Sequence, residues 1–494
     1  MRHEVVVIGS GLGGLLCAAI LARKGKSVVV LERQTQPGGC MQSYMRGKYA
    51  FDTGLHYVGG LAEGQRLHAI FSYVGLMDLP WHRMDADGFD LITVGGQTYA
   101  FAQGYQQFAD TLARQFPAER AALERYVEML RQNEEAALGS EETFRFFGMN
   151  AYQYLTDTFQ NKELVNILAG SAIKMELRRE SLPLFSFAHG NSAFIQSSWR
   201  LRAPGNLLVQ RLIDRIQADG GRVVCGAEVV ELMADPDVNR KRVVAARCSN
   251  GEVYEGDVFI SDAHPAMTFQ WVKAPHLIKN VFRRRMGMMQ NTGGMLTVSM
   301  VLKPHTLRYF NHNKFVYRTT DIWGSEMQGR AGDEHSIDRV MVCCRPPQAD
   351  DYTEQVDLLT PMSWECCRKW EHTTVAHRGD DYLDMKEQKA QECIHLAETV
   401  IPGLGDMAVA KYVSTPLTYR DYNQTPEGSA YGIRKDCDNM VMTMLSPKTP
   451  IQNLLLTGQN LMLHGVEGVS MTALLTCSEL LGMDTIRQVI PARI

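Results

Sequence analysis

The residues that bear most directly on chemistry come at the start of the chain, in the run Gly9-Ser-Gly11-Leu-Gly-Gly14. A glycine at Gly9 permits a tight turn, one at Gly11 lets bare backbone approach a diphosphate, and one at Gly14 lets a helix pack closely on a strand. The start of that helix would offer unpaired N–H groups and the positive end of its dipole to phosphate oxygens. Glu32 follows Gly14 by 18 residues, at the end of the next apolar run. A carboxylate there accepts hydrogen bonds from ribose hydroxyls and repels a 2′-phosphate, which disfavours NADP.

A simple NAD fold would pass from Glu32 to its next helix. This chain instead has Glu32-Arg33, then Pro37-Gly38-Gly39, then Phe51-Asp52-Thr53-Gly54. A glycine doublet six residues past the acid keeps the backbone close to a larger, extended cofactor, so the spacing predicts FAD. Gly403-Leu-Gly405 follows Pro402 at a helix end and is read as a turn. No second GxGxxG follows a strand. The chain therefore lacks a dedicated NAD(P)H domain, and electrons must be exchanged with a quinone, oxygen, a protein carrier or a transiently docked nucleotide.

The elements that must hold these residues follow from periodicity. Glu4 to Ile8 and Ser27 to Leu31 are continuous Val/Ile runs, as in parallel strands covered on both faces, with a helix from about Leu12 to Lys24 between them. Residues 105–138 and 141–172 read as helices of a cap. A second α/β segment starts near Pro204: a helix from Leu207 to Asp219, a Gly220–Gly221 stop, and strands at Arg222 to Cys225, Glu228 to Leu232, Arg242 to Cys248 and Val253 to Ser261. Short strands and a helix near Tyr382 to Val400 fill 290–450. A strand at Asn453 to Thr457 and a last helix from about Ser470 to Leu481 close the chain.

Composition bounds the rest. With 494 residues, 45% apolar and 21% charged, the chain has the profile of a folded protein of two or three domains. A net charge of −4 gives no basic field, which argues against nucleic acid as a partner. Eleven cysteines without any CxxC are read as reduced thiols in a cytoplasmic protein. Val5 to Ala22 is long and nearly uncharged, but its glycines fit a strand, turn and helix rather than a membrane span. Arg283-Arg284-Arg285, flanked by Phe282, Met286, Met288 and Met289, is the one run suited to touching an anionic bilayer surface. Twenty-six methionines suit a pocket that adapts to a flexible apolar molecule, and equally an ordinary core.

Several segments together resemble the FAD-dependent phytoene desaturase, carotenoid isomerase and all-trans-retinol saturase family. They are LERQTQPGGCMQSYMRGKYAFDTGLHYVGG (Leu31 to Gly60), the Trp199 to Leu232 region with its GG turn and AEV strand, STPLTYRDY (Ser414 to Tyr422) with Gly428 and Tyr431–Gly432, and NLLLTGQNLMLHGVEGVSMTALLT (Asn453 to Thr476). The resemblance is specific at the two ends and looser over 60–195 and 270–400. It implies a discontinuous Rossmann-like α/β FAD-binding domain (1–75, 196–275 and 450–494), and a mixed β-sheet substrate domain with a helical cap (76–195 and 276–449).

By the same resemblance, Gly9, Gly11, Leu12 and Gly14 would meet the pyrophosphate and Glu32 the adenosine ribose. Arg33, Gly38 and Gly39 would line the cofactor's path, Val229 would meet the adenine, and Gly458 would lie near the pyrophosphate and ribityl chain. Gly468 and Val469, opening the last helix, would point amides at the flavin pyrimidine. The chain departs from the animal saturases at Leu463-His464-Gly465-Val466-Glu467, making His464 and Glu467, with His56 of GLHY, candidates for proton transfer or for structural roles.

The implied activity is hydride chemistry or cis–trans isomerisation at carbon–carbon double bonds of a polyene or isoprenoid lipid. An amine-oxidase-like flavoenzyme and a flavin-free prenyl-lipid escort are the rival expectations.

Overall fold

The computed structural model describes residues 2–136, 140–324, 336–347 and 351–490. The last two residues of the expected 105–138 helix lie outside that set. Two seven-stranded sheets organise the chain.

The first sheet runs in the order Arg222–Cys225, Val28–Glu32, Arg2–Ile8, Val253–Ser261, Val243–Cys248, Val229–Ala234, with Leu454–Leu456 pairing Val253–Ser261. Its central ladders are parallel, with Val5 opposite both Val28 and Val258. Parallel pairing needs helices on both faces, and the strands are apolar throughout for that reason: Val28–Glu32 is buried at every position. The helix Leu12–Arg23 shows the same logic, being buried from Leu12 to Ala22. It packs against the helices Asn206–Ala218 and Gly465–Leu481.

The second sheet runs Ala408–Ser414, Gly294–Leu302, Gln355–Met362, Arg339–Cys344, Asn313–Tyr317, Asp90–Val94, Gln97–Phe101. The helix Asp380–Ala397 covers one of its faces through Ala390, Ile394 and Ala397. The other face joins a large apolar core with the helices Tyr105–Gln115, Arg120–Glu135 and Leu184–Gln196. All eleven cysteines are free, and eight of them are buried.

The last helix begins at Gly465 rather than near Ser470. Gly465 and Gly468 resemble loop glycines in the sequence, but a Cβ on Gly468 would lie 2.5 Å from that of Leu463. The glycine is needed for close packing of the first helical turn. Among the described residues, no helix is long and apolar enough to cross a membrane.

Candidate functional site

A cleft with a volume of about 400 Å³ is lined by residues from both sheets. Its floor at one end is the turn after Arg2–Ile8. Gly9 has φ +95°, in the left-handed region, and a Cβ on Gly14 would overlap the Gly9 carbonyl oxygen, so strand and helix meet with no side chain between them. Two distant segments close on the same turn. A Cβ on Gly13 would lie 2.9 Å from the Gly458 Cα, and one on Gly39 would lie 3.2 Å from the Gly11 Cα. Glycine backbone from three parts of the chain thus forms one cradle, and the Asp262 carboxylate lies over it, overlapping the Cβ positions of Gly11, Gly13 and Gly458. The helix start leaves the N–H groups of Gly11, Leu12 and Gly13 without intrahelical partners.

Glu32 ends its strand facing this cradle. Its Oε2 accepts from the Ser10 backbone N–H at 3.0 Å and from the Ser10 hydroxyl, and its Oε1 accepts from the Gln34 N–H at 2.7 Å. The Ser10 hydroxyl in turn accepts from the Gly38 N–H at 3.0 Å, joining the acid to the glycine doublet. Oε2 thus has both lone pairs engaged, while Oε1 keeps a second lone pair for a sugar hydroxyl. Arg33 and Val229 line the same end of the cleft, and Arg33 also donates to the Tyr422 carbonyl at 2.9 Å. A diphosphate with its adenosine ribose fits this donor set: the Gly11, Leu12 and Gly13 amides lack intrahelical partners, the glycines carry no side chain, and Glu32 stands beside the turn with one lone pair of Oε1 open.

Farther along, Gln459, Asn460 and the segment from Leu463 to Val469 line the cleft, while Gly458 lies behind them against Gly13. Because the last helix starts at Gly465, its free amides are those of Gly465, Val466 and Glu467. Gly468 and Val469 stand inside the first turn, where their N–H groups are paired within the helix. The free amides of this helix are therefore carried by the three residues that precede Gly468.

His56, His464 and Glu467 all line the cleft. His464 Nε2 lies 3.1 Å from the Lys174 carbonyl, so that nitrogen carries the hydrogen, and burial pushes the imidazole down to about 4. Its ring lies 4.7 Å from the Tyr431 ring. Burial also lowers His56, whose Nδ1 is 3.9 Å from an Asp357 oxygen and whose Nε2 has no partner. Glu467 behaves oppositely: burial, then the nearby Glu134, push its carboxyl up to about 8. Near neutrality both histidines are uncharged and Glu467 holds a proton.

Four further residues belong to the site. Asp262 follows the strand Val253–Ser261 and sits against the glycine cradle, with its carboxyl raised to about 7 by burial. Lys174 is the lone cation of the apolar run Leu168 to Met175. Its Nζ is 3.9 Å from Asp90 and 4.0 Å from the centre of the Phe194 ring. Ser186 and His189, one turn apart on the helix Leu184–Gln196, also line the cleft. The signal for the last three was a polar residue in an otherwise apolar segment, which sequence alone cannot tell from a satisfied core group. Beyond them the wall is Ile173, Phe194, Met295, Met341 and Leu359.

Residues 7–74 match the model of an NAD(P)-binding Rossmann-like domain. Over 97% of its length the chain is 25% identical to all-trans-retinol 13,14-reductase of Danio rerio, covering 86% of that protein. It is 23% identical to the lycopene-forming phytoene desaturase of Pseudescherichia vulneris, over 87% of this chain and 89% of that one. Among solved structures, a triple mutant of putrescine oxidase superposes with a TM-score of 0.67 at 14% identity, covering 97% of this chain and 99% of the other, which places the fold. The glycine cradle, the acid at the end of its second strand and similarity over most of the chain agree with one another: the chain is similar to all-trans-retinol 13,14-reductases, prolycopene isomerases and a phytoene desaturase.

Proposed function

We propose that the protein is an FAD-dependent oxidoreductase acting on carbon–carbon double bonds of a long apolar polyene or isoprenoid lipid. One observation carries this reading: the cleft is continuous from the dinucleotide cradle to a chamber walled by Ile173, Phe194, Met295, Met341 and Leu359. Relatives named as a retinol reductase and a phytoene desaturase support it. Bound FAD would supply two-electron chemistry at carbon.

In this reading Gly9, Gly11, Leu12 and Gly14 hold the diphosphate and Glu32 the ribose. Arg33, Gly39 and Val229 line the adenosine side with Gly38 tied to Ser10 beside them, while Gly468 and Val469 line the flavin side and Gly458 backs the glycine turn. Residues 1–75, 196–275 and 450–494 form the cofactor unit; 76–195 and 276–449 form the substrate unit. Apolar walls hold the ligand by burial, at roughly 25 cal/mol for each Å² removed from water. Glu467 is the side chain of the cleft best placed to keep a proton at neutral pH, because burial disfavours its charged form. His464, neutral and tied to the Lys174 carbonyl, orients the approach to the last helix.

Electrons pass to or from a diffusible partner. Membrane contact would use the helix Asn280–Gly287 and its surroundings, where Val281 and Met288 are exposed beside Arg284 and Lys279.

An amine-oxidase reading shares the fold but sets the Lys174 ammonium in the path of a cationic substrate, which that charge would repel. The test is purification followed by anaerobic incubation with all-trans-retinol, phytoene and lycopene isomers, using oxidised and then reduced enzyme. A yellow protein that changes the double bonds of one of these supports the reading. A colourless protein that binds polyenes unchanged would favour an escort role, and turnover of amines alone would overturn it.

A further inference from the structure

The Lys174 ammonium is set among groups that leave its hydrogen-bonding capacity unused. Asp90 balances its charge but does not reach it, since the nearest oxygen is 3.9 Å away. Both Asp90 oxygens are taken by other donors, Oδ1 by the Asn313 amide at 2.9 Å and Oδ2 by the Tyr57 hydroxyl at 3.0 Å. The remaining neighbours of Nζ are the rings of Phe194 at 4.0 Å and Tyr57 at 5.7 Å, which attract a cation but accept no ordinary hydrogen bond. Among the described residues, no acceptor lies within hydrogen-bond distance of Nζ. An ammonium with three donors and no acceptor, in an apolar wall, is costly unless the ligand supplies one. Two other groups of the same chamber are in the same state: Ser186 Oγ and His189 Nε2 are buried without partners.

We propose that Lys174 receives the carbonyl oxygen of a conjugated aldehyde or ketone, so that the ligand of this chamber is an oxygen-ended polyene rather than a plain hydrocarbon; this rests on the oxidoreductase reading above. Charge selects the carbonyl. Lys174 and Asp90 already sum to zero, so a carboxylate would bring a net negative charge into a chamber walled largely by apolar side chains. A carbonyl adds only a dipole. An alcohol would bring a donor of its own, and the nearest faces are the Phe194 and Tyr57 rings. The ammonium also draws electron density along a conjugated chain, which makes its remote carbons easier to reduce. Burial lowers the Lys174 amine to about 8, so the cation persists at neutral pH while a useful fraction of free amine exists slightly above it.

That free amine makes the contact testable without turnover. The flavin-loaded protein is incubated with all-trans-retinal at pH 8 and treated with cyanoborohydride. The amine and aldehyde condense to an imine with loss of water, and the reagent's hydride converts the imine to a stable secondary amine. Peptide mass spectrometry should find the label concentrated on Lys174. Fluorescence quenching should show all-trans-retinal binding at least tenfold tighter than all-trans-retinol, with the difference lost in Lys174→Met. Where that variant folds poorly because Asp90 is left unpaired, Lys174→Met/Asp90→Asn restores neutrality and should behave alike. Label scattered over surface lysines, with both polyenes bound equally by the unaltered protein, would overturn the assignment to Lys174 alone. Lack of saturable binding of either polyene would overturn the chamber reading and this proposal with it.

Discussion

Glu32 and Ser10 are locked together across the mouth of the nucleotide cradle: the carboxylate accepts from both the backbone N–H, at 3.0 Å, and the hydroxyl, at 2.5 Å. The acid is therefore a brace for the glycine turn as well as a candidate ribose ligand. Glu32→Ala should remove both functions, leaving purified protein with less than a tenth of the normal flavin, read from the ratio of visible to 280 nm absorbance. Loss of the buried hydrogen bonds should also destabilise the fold by about 1–3 kcal/mol. Full flavin content in this variant would contradict the placement.

Gly14 is a second point where the turn has no slack. Its added Cβ would overlap the Gly9 carbonyl oxygen, a backbone atom that cannot rotate away. Gly14→Ala should cost about 3 kcal/mol, at the upper end for overpacking, and reduce the yield of soluble protein. Gly25→Ala is the control: nothing lies within 4 Å of its Cβ, and only its φ of +79° opposes the change. Urea unfolding of the two variants should separate them clearly.

The parts of this molecule legible in advance were those governed by local rules. The glycine turn, the buried parallel strands and Glu32 each follow from short-range geometry, and the first sheet places them as their spacing requires. The start of the last helix at Gly465 is not legible in the sequence, because the need for glycine at Gly468 arises from Leu463 packing against the first turn. Lys174, Asp90 and Tyr57 could not be linked in the sequence. They come together only because the strand Asp90–Val94 pairs with Asn313–Tyr317, more than two hundred residues away, and the turn bearing Lys174 packs over that edge. Chemistry built from one residue per distant segment leaves no periodic trace.

Lys435 illustrates the same point with a structural role. Its buried Nζ donates to the carbonyls of Thr443 at 3.0 Å, Asn460 at 2.9 Å and Leu461 at 2.7 Å. It thereby fixes the stretch that leads into Leu463–Val469. Lys435→Met would leave three carbonyls without this donor, and should cost about 3 kcal/mol. Flavin retention should fall with it, since the last helix loses its anchor. Denaturant midpoint and bound flavin, measured on the same preparation, check both effects.

Glu467 should make stability depend on pH in a direction unusual for a carboxylate. Its group is raised from the ordinary 4.5 to about 8 in the folded protein, chiefly by burial and then by Glu134. Below about 4.5 it is protonated in both folded and unfolded chains and has no effect on their balance. Between about 4.5 and 8 the folded chain holds a proton that the unfolded chain has released, so stability falls as pH rises through that window. Glu467→Gln keeps the shape and removes the proton. The variant should melt at the same temperature as the parent near pH 4.5, and at a progressively higher one toward pH 8. Thermal unfolding of both proteins across that range isolates this one group, because every other titration is common to the pair and cancels. A constant difference in melting temperature would show that Glu467 is ionised within the fold, and would remove it as the proton-holding group of the cleft.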